Sequence, residues 1–295
     1  MSAAPLSKRY QAVEGKRMAF HECGAGDAIV FLHGNPTSSY IWRNVVPYVA
    51  DHGRCVVPDL IGMGDSDKLD DSGPGSYGFF DHRRYLDGFL ERIGLGERVT
   101  LVLHDWGVAL GFDWASRHPD RVAGIAYMEG IVGPIDLDDW GDPFATFFRA
   151  MRTDAGDELV LVNNAFVEGV PMGVIRELSD EEMAEYRRPF AAPGEDRRPT
   201  LCWPRQLPID GEPADVVEIV ERNAEWMTQT DIPKLFINAE RGYNITGRTR
   251  EVCRTWPAQT EVTVPGIHYL QEDSADLIGA ALSEWLPSLK AGNSQ

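Results

Sequence analysis

The chain has 295 residues, 43% apolar and 25% charged, which are ordinary globular proportions and exclude bulk disorder. Its 46 acidic against 28 basic residues leave a net charge of −18, which repels nucleic acid and anionic lipid surfaces but not a neutral small molecule. No apolar run approaches the roughly 18–20 residues that span a bilayer, and Met1–Phe20 lacks the apolar stretch of a secretory signal, so a cytoplasmic protein with no membrane role is expected. Cys23, Cys55, Cys202 and Cys253 are scattered without a C-x-x-C pair and read as reduced packing thiols rather than a disulfide framework or a zinc site.

In chain order, strands are predicted at Arg17–Glu22, Ala28–His33, Arg54–Pro58, Val99–His104, Val122–Met128, Lys234–Asn238 and Glu261–Val264. Ala-Ile-Val-Phe-Leu at Ala28–Leu32 and Val-Thr-Leu-Val-Leu at Val99–Leu103 do not alternate apolar with polar, as suits strands buried on both faces. Helices are expected between them, at Tyr85–Ile93 and Ala109–Ser116, so the pattern is α/β with a mostly parallel sheet. The rhythm breaks after Met128. Between Val132 and Pro213 the pieces are helical: Phe144–Met151, Glu158–Glu168, and a helix opened by the capping box Ser179-Asp180-Glu181-Glu182. Pro213 is placed to begin the helix Ala214–Met227. Residues 132–213 therefore read as a helical cap over the strand ends, with the core formed by 1–131 and 214–295.

Three segments could carry chemistry. In Leu101–Leu110 a buried strand runs into a sharp turn and a helix, the setting of a nucleophile elbow, with Asp105 at the apex and Gly107 allowing close helix packing. Leu103 stands where the G-x-S-x-G pattern has its first glycine, and Asp105 could instead cap the helix. In His33-Gly34-Asn35-Pro36, after another buried strand, a backbone N–H could point at the elbow as half of an oxyanion hole; it could also be only a turn. Pro265-Gly266-Ile267-His268-Tyr269 places a histidine after the final strand, giving the order nucleophile, acid, histidine. Most of the other histidines (His21, His33, His52, His82, His104 and His118) read as surface residues. No H-E-x-x-H or G-x-x-x-x-G-K motif and no third glycine after Gly62-Met63-Gly64 support a metal or nucleotide, so no cofactor is expected.

H-G-N-P at His33–Pro36, D-L-I-G-M-G-D-S-D-K at Asp59–Lys68, H-D-W-G at His104–Gly107, Y-M-E at Tyr127–Glu129, W-P-R at Trp203–Arg205 and G-x-H at Gly266–His268 together resemble the haloalkane dehalogenases, α/β-hydrolases that cleave carbon–halogen bonds. The resemblance runs over essentially the whole chain and is nearest to the subfamily whose catalytic acid is a glutamate after the sixth strand. It implies an α/β-hydrolase fold, a mostly parallel sheet flanked by helices, with the helical cap inserted after that strand.

The resemblance also implies roles. Asp105, ionised at neutral pH, would displace halide from a saturated carbon and form an alkyl ester. His268 would be the general base for the water that hydrolyses it, oriented by Glu129, or by Glu240 at the site other α/β-hydrolases use. The backbone N–H groups of Asn35 and Trp106 would hold the oxyanion, and the Asn35 amide and Trp106 indole the halide. Trp140, Phe144, Phe148, Phe166, Val174, Trp203, Pro204, Leu207 and Tyr269 are expected to line an apolar pocket, with Tyr243-Asn244-Ile245 reshaping its mouth. Substrate, halide and water would be the only partners of a monomer. Rival readings are an epoxide hydrolase, which would supply two cap tyrosines where Ile131–Thr230 holds only Tyr186; a coelenterazine-type luciferase; and a non-enzymatic small-ligand receptor on the same fold.

Overall fold

The computed structural model describes residues 8–137, 141 and 144–291. Its strands are β1 Lys8–Val13, β2 Lys16–Cys23, β3 Ala28–Leu32, β4 Arg54–Pro58, β5 Val99–Asp105, β6 Val122–Gly130, β7 Lys234–Ala239 and β8 Gln259–Val264. They form one eight-stranded sheet in the order β1-β2-β4-β3-β5-β6-β7-β8, antiparallel at β1–β2 and β2–β4 and parallel from β4 onward. β3 and β5, the most continuously apolar segments, lie at the centre and are buried along their whole length.

β1 has no counterpart among the expected strands. It is an edge strand with most residues exposed, so Lys-Arg-Tyr-Gln-Ala-Val carries no burial pattern to read.

Helices follow the strands: α1 Val46–Val49, α2 Phe79–Arg92 and α3 Trp106–Arg117 before the sixth strand ends. Between β6 and β7 come α4 Phe144–Met151, α5 Asp154–Asp157, α6 Ala165–Glu168, α7 Asp180–Arg187, α8 Arg198–Arg205 and α9 Ala214–Gln229. α10 Gly247–Arg254, α11 Leu270–Asp273, α12 Ala275–Trp285 and α13 Ser288–Ala291 complete the chain. α1 packs with α12, and α3 packs with α2 and α9. No helix among the described residues is long and apolar enough to cross a membrane.

Local chemistry explains the irregular path between β6 and β7. The capping box at Ser179 and Glu182 is present in both directions and starts α7. The single helix expected over Glu158–Glu168 is instead broken. A π-type turn, Glu158–Val162, gives way to Asn164 at φ +55°, a left-handed conformation that asparagine tolerates and a helix does not continue through. Pro213 is the residue before α9, at φ −68° and ψ 137°, and not its first turn. α2 and α3 start earlier than their apolar periodicity suggested, at Phe79 and Trp106.

At the junction of β5 and α3 the helix packs directly on the backbone of the central strand β3. A Cβ on Gly107 would lie 2.5 Å from the carbonyl oxygen of Leu32, a backbone atom in the central strand that has nowhere to retreat. Gly107→Ala is therefore expected to push α3 off β3 and lower stability by about 1–3 kcal/mol. An unchanged midpoint in urea unfolding would refute that constraint.

Candidate active site

Asp105 ends β5 and immediately precedes α3, with φ +53° and ψ −127°. This strained turn lifts the side chain out of the sheet. The side chain makes no helix-capping hydrogen bond, which removes the capping reading. Its Oδ1 accepts the backbone N–H of Asn35 at 2.7 Å, and the backbone N–H of Trp106 lies near enough to favour the charged carboxylate. Gly34 makes the approach possible, because a Cβ there would fall 2.0 Å from Asp105 Oδ1. Burial pushes the Asp105 carboxyl above the usual carboxylate range, with His268 and the two N–H groups opposing.

His268 stands between two carboxylates. Its Nε2 is 3.6 Å from Asp105 Oδ2 and its Nδ1 is 3.7 Å from Glu129 Oε2, about half an ångström beyond hydrogen-bond reach. Its carbonyl accepts Nε2–H of His104 at 2.9 Å, which fixes the tautomer of that buried ring. Desolvation holds His104 well below the usual imidazole range, hence neutral.

Glu129, in the last turn of β6 at φ +38° and 1% exposed, is gripped by the loop after β7. Its Oε2 accepts the N–H groups of Tyr243 and Asn244 at 2.7 and 2.9 Å, its Oε1 accepts that of Ile245 at 3.3 Å, and its own carbonyl accepts Asn244 Nδ2 at 3.2 Å. Gly242, at φ +73°, lets this loop wrap the carboxylate; a Cβ there would lie 3.1 Å from Oε1. Glu240 is exposed. The Tyr243-Asn244-Ile245 segment thus does more than shape a pocket mouth: its backbone binds the carboxylate.

A cavity of about 320 Å³ opens above these groups. Asn35, Asp105, Trp106 and His268 form its floor, and Phe144, Phe148, Phe166, Pro204, Leu207 and Tyr269 lie in its wall. Phe147, Met172, Gly173, Tyr243 and Asn244 line it too. Phe147 had a signal, since it follows Phe144 by one helical turn.

Two expected lining residues do not line it. Trp203 lies behind the floor, stacked 4.4 Å from the Trp106 ring on one side and 4.0 Å from His82 on the other. Val174 packs into the hydrophobic core. The helical turn Val170–Gly173 ends there and Val174 is extended, which carries its side chain away from the cavity that Gly173 lines. Trp140 lies outside the described residues.

His33, His82 and His104 are fully buried and not surface residues. His33 accepts the Leu60 N–H on Nε2, so its Nδ1 donates to the Gly34 carbonyl, both at 2.9 Å, and the ring braces the loop that carries Asn35. Tyr186, the cap tyrosine, gives its hydroxyl to Glu272 and is not in the cavity wall. Among the described residues no three His, Cys, Asp or Glu side chains converge as a metal site requires.

Residues 27–170 match the alpha/beta hydrolase fold family. Over its length the chain is similar to a haloalkane dehalogenase of Sphingobium indicum, 57% identical over 98% of this chain and 99% of that protein. A haloalkane dehalogenase of Mycolicibacterium smegmatis is also 57% identical, over 97% of this chain and 92% of its own. Among solved structures, haloalkane dehalogenase DbeA from Bradyrhizobium elkani superposes with a TM-score of 0.92 at 42% identity, covering 98% of this chain and 100% of the other.

The raised pKa of Asp105 carries a stability consequence. Between the unfolded and folded pKa values the folded state binds more protons, so this group's contribution falls as pH rises through the folded value. Asp105→Asn is expected to melt above the parent at pH 7, with the gap closing in acid where both side chains are neutral. A pH-independent gap, or a more stable parent at pH 7, would contradict the burial account.

Proposed function

The chain belongs to the haloalkane dehalogenases, hydrolases acting on carbon–halide bonds, and on that footing we propose that Asp105 is the nucleophile of a two-step hydrolysis. Asp105 Oδ2 attacks the halogen-bearing carbon in line and the halide leaves with the bonding pair, giving an alkyl–aspartate ester. The halide is received by the indole N–H of Trp106 and by one N–H of the Asn35 amide; the other N–H of that amide donates to the Thr200 carbonyl at 3.3 Å and so turns the nitrogen end the right way. Neutral donors stabilise the departing anion without the tight ion pair that would hold it.

His268 then removes a proton from water attacking the ester carbonyl. Glu129 orients the ring through Nδ1 and stabilises the transient imidazolium. The carbonyl oxygen is Asp105 Oδ1, already facing the Asn35 backbone N–H, and this group with the backbone N–H of Trp106 holds the oxyanion as it forms. Collapse releases the alcohol, and His268 passes its proton to solvent. This pre-set contact at 2.7 Å is the observation that carries the reading: one oxygen of the nucleophile is held for the second step while the other stays open for the first. The reaction needs water and no cofactor.

Residues 132–213 act as the cap over a core of 1–131 and 214–295 in this reading. The apolar cavity suits a small halogenated alkane reaching a primary alcohol, and the charge of −18 gives no attraction to nucleic acid. The protein is read as a cytoplasmic monomer. With Tyr186 committed to Glu272, no tyrosine of the described cap residues lines the cavity to open an epoxide.

The trap is the direct test. His268→Phe incubated with 1-bromobutane should release one bromide per molecule and stall, with Asp105 carrying a butyl group by mass spectrometry. Asp105→Ala should release none. Sustained turnover by His268→Phe would reject the base assignment. The acid is tested separately: Glu129→Gln is expected to lower turnover by about 10²–10⁴-fold while Glu240→Gln leaves it unchanged, and the reverse pattern would move the acid to β7.

A further inference from the structure

The loop that carries His268 is tied to the cap rather than only to the core. His268 and Tyr269 donate their backbone N–H groups to a single acceptor, the carbonyl of Gly173, each at 3.0 Å. Gly173 lies so close that a Cβ on it would sit 2.8 Å from the Tyr269 ring and 3.3 Å from His268 Cβ. Just beyond, the Asp273 carboxylate accepts the backbone N–H groups of Ile175 and Arg176 at 3.0 Å, and the Glu272 carbonyl accepts Arg176 Nε at 2.7 Å.

A partly buried ionic cluster completes the tie. The carboxylate of Glu272, fully buried, accepts Arg43 Nη1 at 2.6 Å and Nη2 at 2.7 Å, Arg176 Nη2 at 2.5 Å, and the Tyr186 hydroxyl. Glu182 joins both arginines, at 2.9 Å from Arg43 and 2.7 Å from Arg176, and is itself held in the capping box of α7. Two guanidinium groups and two carboxylates balance, which is what allows the Glu272 carboxylate to be buried. It links three separate pieces of chain: Arg43 after the core turn Ser39–Trp42, the cap segment Gly173–Glu182, and α11 directly behind the histidine. Of these four charged residues none is in the cavity wall, so the proposed chemistry gives them no task.

We propose that Arg176 is a positioning residue for ester hydrolysis: through Glu272, and with the Gly173 carbonyl, the cap segment Gly173–Glu182 sets the depth at which His268 meets Asp105 and Glu129. The proposal rests on the reading of Asp105 as nucleophile and His268 as base. The two steps call on the histidine unequally. Halide displacement needs Asp105, Trp106 and Asn35, whereas hydrolysis of the ester needs His268. Slackening the histidine loop therefore slows the second step and spares the first.

Rapid-quench kinetics with 1-bromobutane separate the two. Bromide release with enzyme in excess gives the rate of ester formation, and the steady rate with substrate in excess, per folded enzyme, includes the hydrolysis that follows. Arg176 is about a third exposed, so its replacement leaves the fold accessible. For Arg176→Gln the first rate is expected to stay within about twofold of the parent while the steady rate falls about tenfold, the scale of a sub-ångström misplacement. Butylated Asp105 accumulates during turnover, and Arg176→Lys recovers most of the loss. Both rates falling by one factor, or neither changing, would overturn the proposal, as would failure of lysine to rescue. His268→Phe in the same assay keeps the two ideas apart. If it accumulates ester and Arg176→Gln does not, only the positioning role falls; if it accumulates none, the base assignment falls and the positioning role with it.

Discussion

Burying the Asp105 carboxylate disfavours its charged form, and the groups around it oppose that cost. The backbone N–H of Asn35 donates to one oxygen, an imidazole faces the second, and Gly34 leaves room for the approach. Each partner depends on a particular piece of the sheet. Asn35 is delivered by the end of β3, Trp106 by the first turn of α3, and His268 by the loop after β8. Central placement of β3 and β5 brings these ends together, because in a parallel sheet the carboxyl ends of neighbouring strands open on one side.

The surroundings of the floor are as specific as the floor itself. The Trp106 indole is held flat by Trp203, which rests on His82, so an aromatic stack stands behind the proposed halide donor. Glu129 is held by three consecutive backbone N–H groups of a loop from another strand, a polar grip on a buried carboxylate. The wall is aromatic and comes from both core and cap, with Phe144 edge-on to Tyr243 at 4.7 Å joining the two sides. A desolvated, donor-lined floor beneath an apolar wall favours a reaction that generates a small anion from a neutral substrate.

Much of this was legible beforehand because the signals were local. The elbow at Asp105, the H-G-N-P turn and the buried central strands each lie within ten residues of sequence and follow from apolarity and turn chemistry. Errors arose where local signals were weak or misleading. β1 pairs at an exposed edge and carries no apolar rhythm. Asn164 broke a helix whose periodicity looked continuous. Val174 and Trp203 are the right kind of residue for a pocket wall, but one follows the end of a helical turn and packs into the core, and the other sits one layer behind.

The sequence by itself determined the α/β class, the helical insertion after the sixth strand and the residue types able to do the chemistry, since backbone patterning and side-chain identity are properties of the chain. Only the tertiary structure decided which of two glutamates faces His268, that the 243–245 backbone binds it, and that the cap reaches across to the histidine loop through Gly173 and the Arg43–Arg176–Glu182–Glu272 cluster. Those are pairings between segments roughly 90 to 230 residues apart, and their energies depend on distance, burial and direction, which exist only once the sheet has brought the segments together.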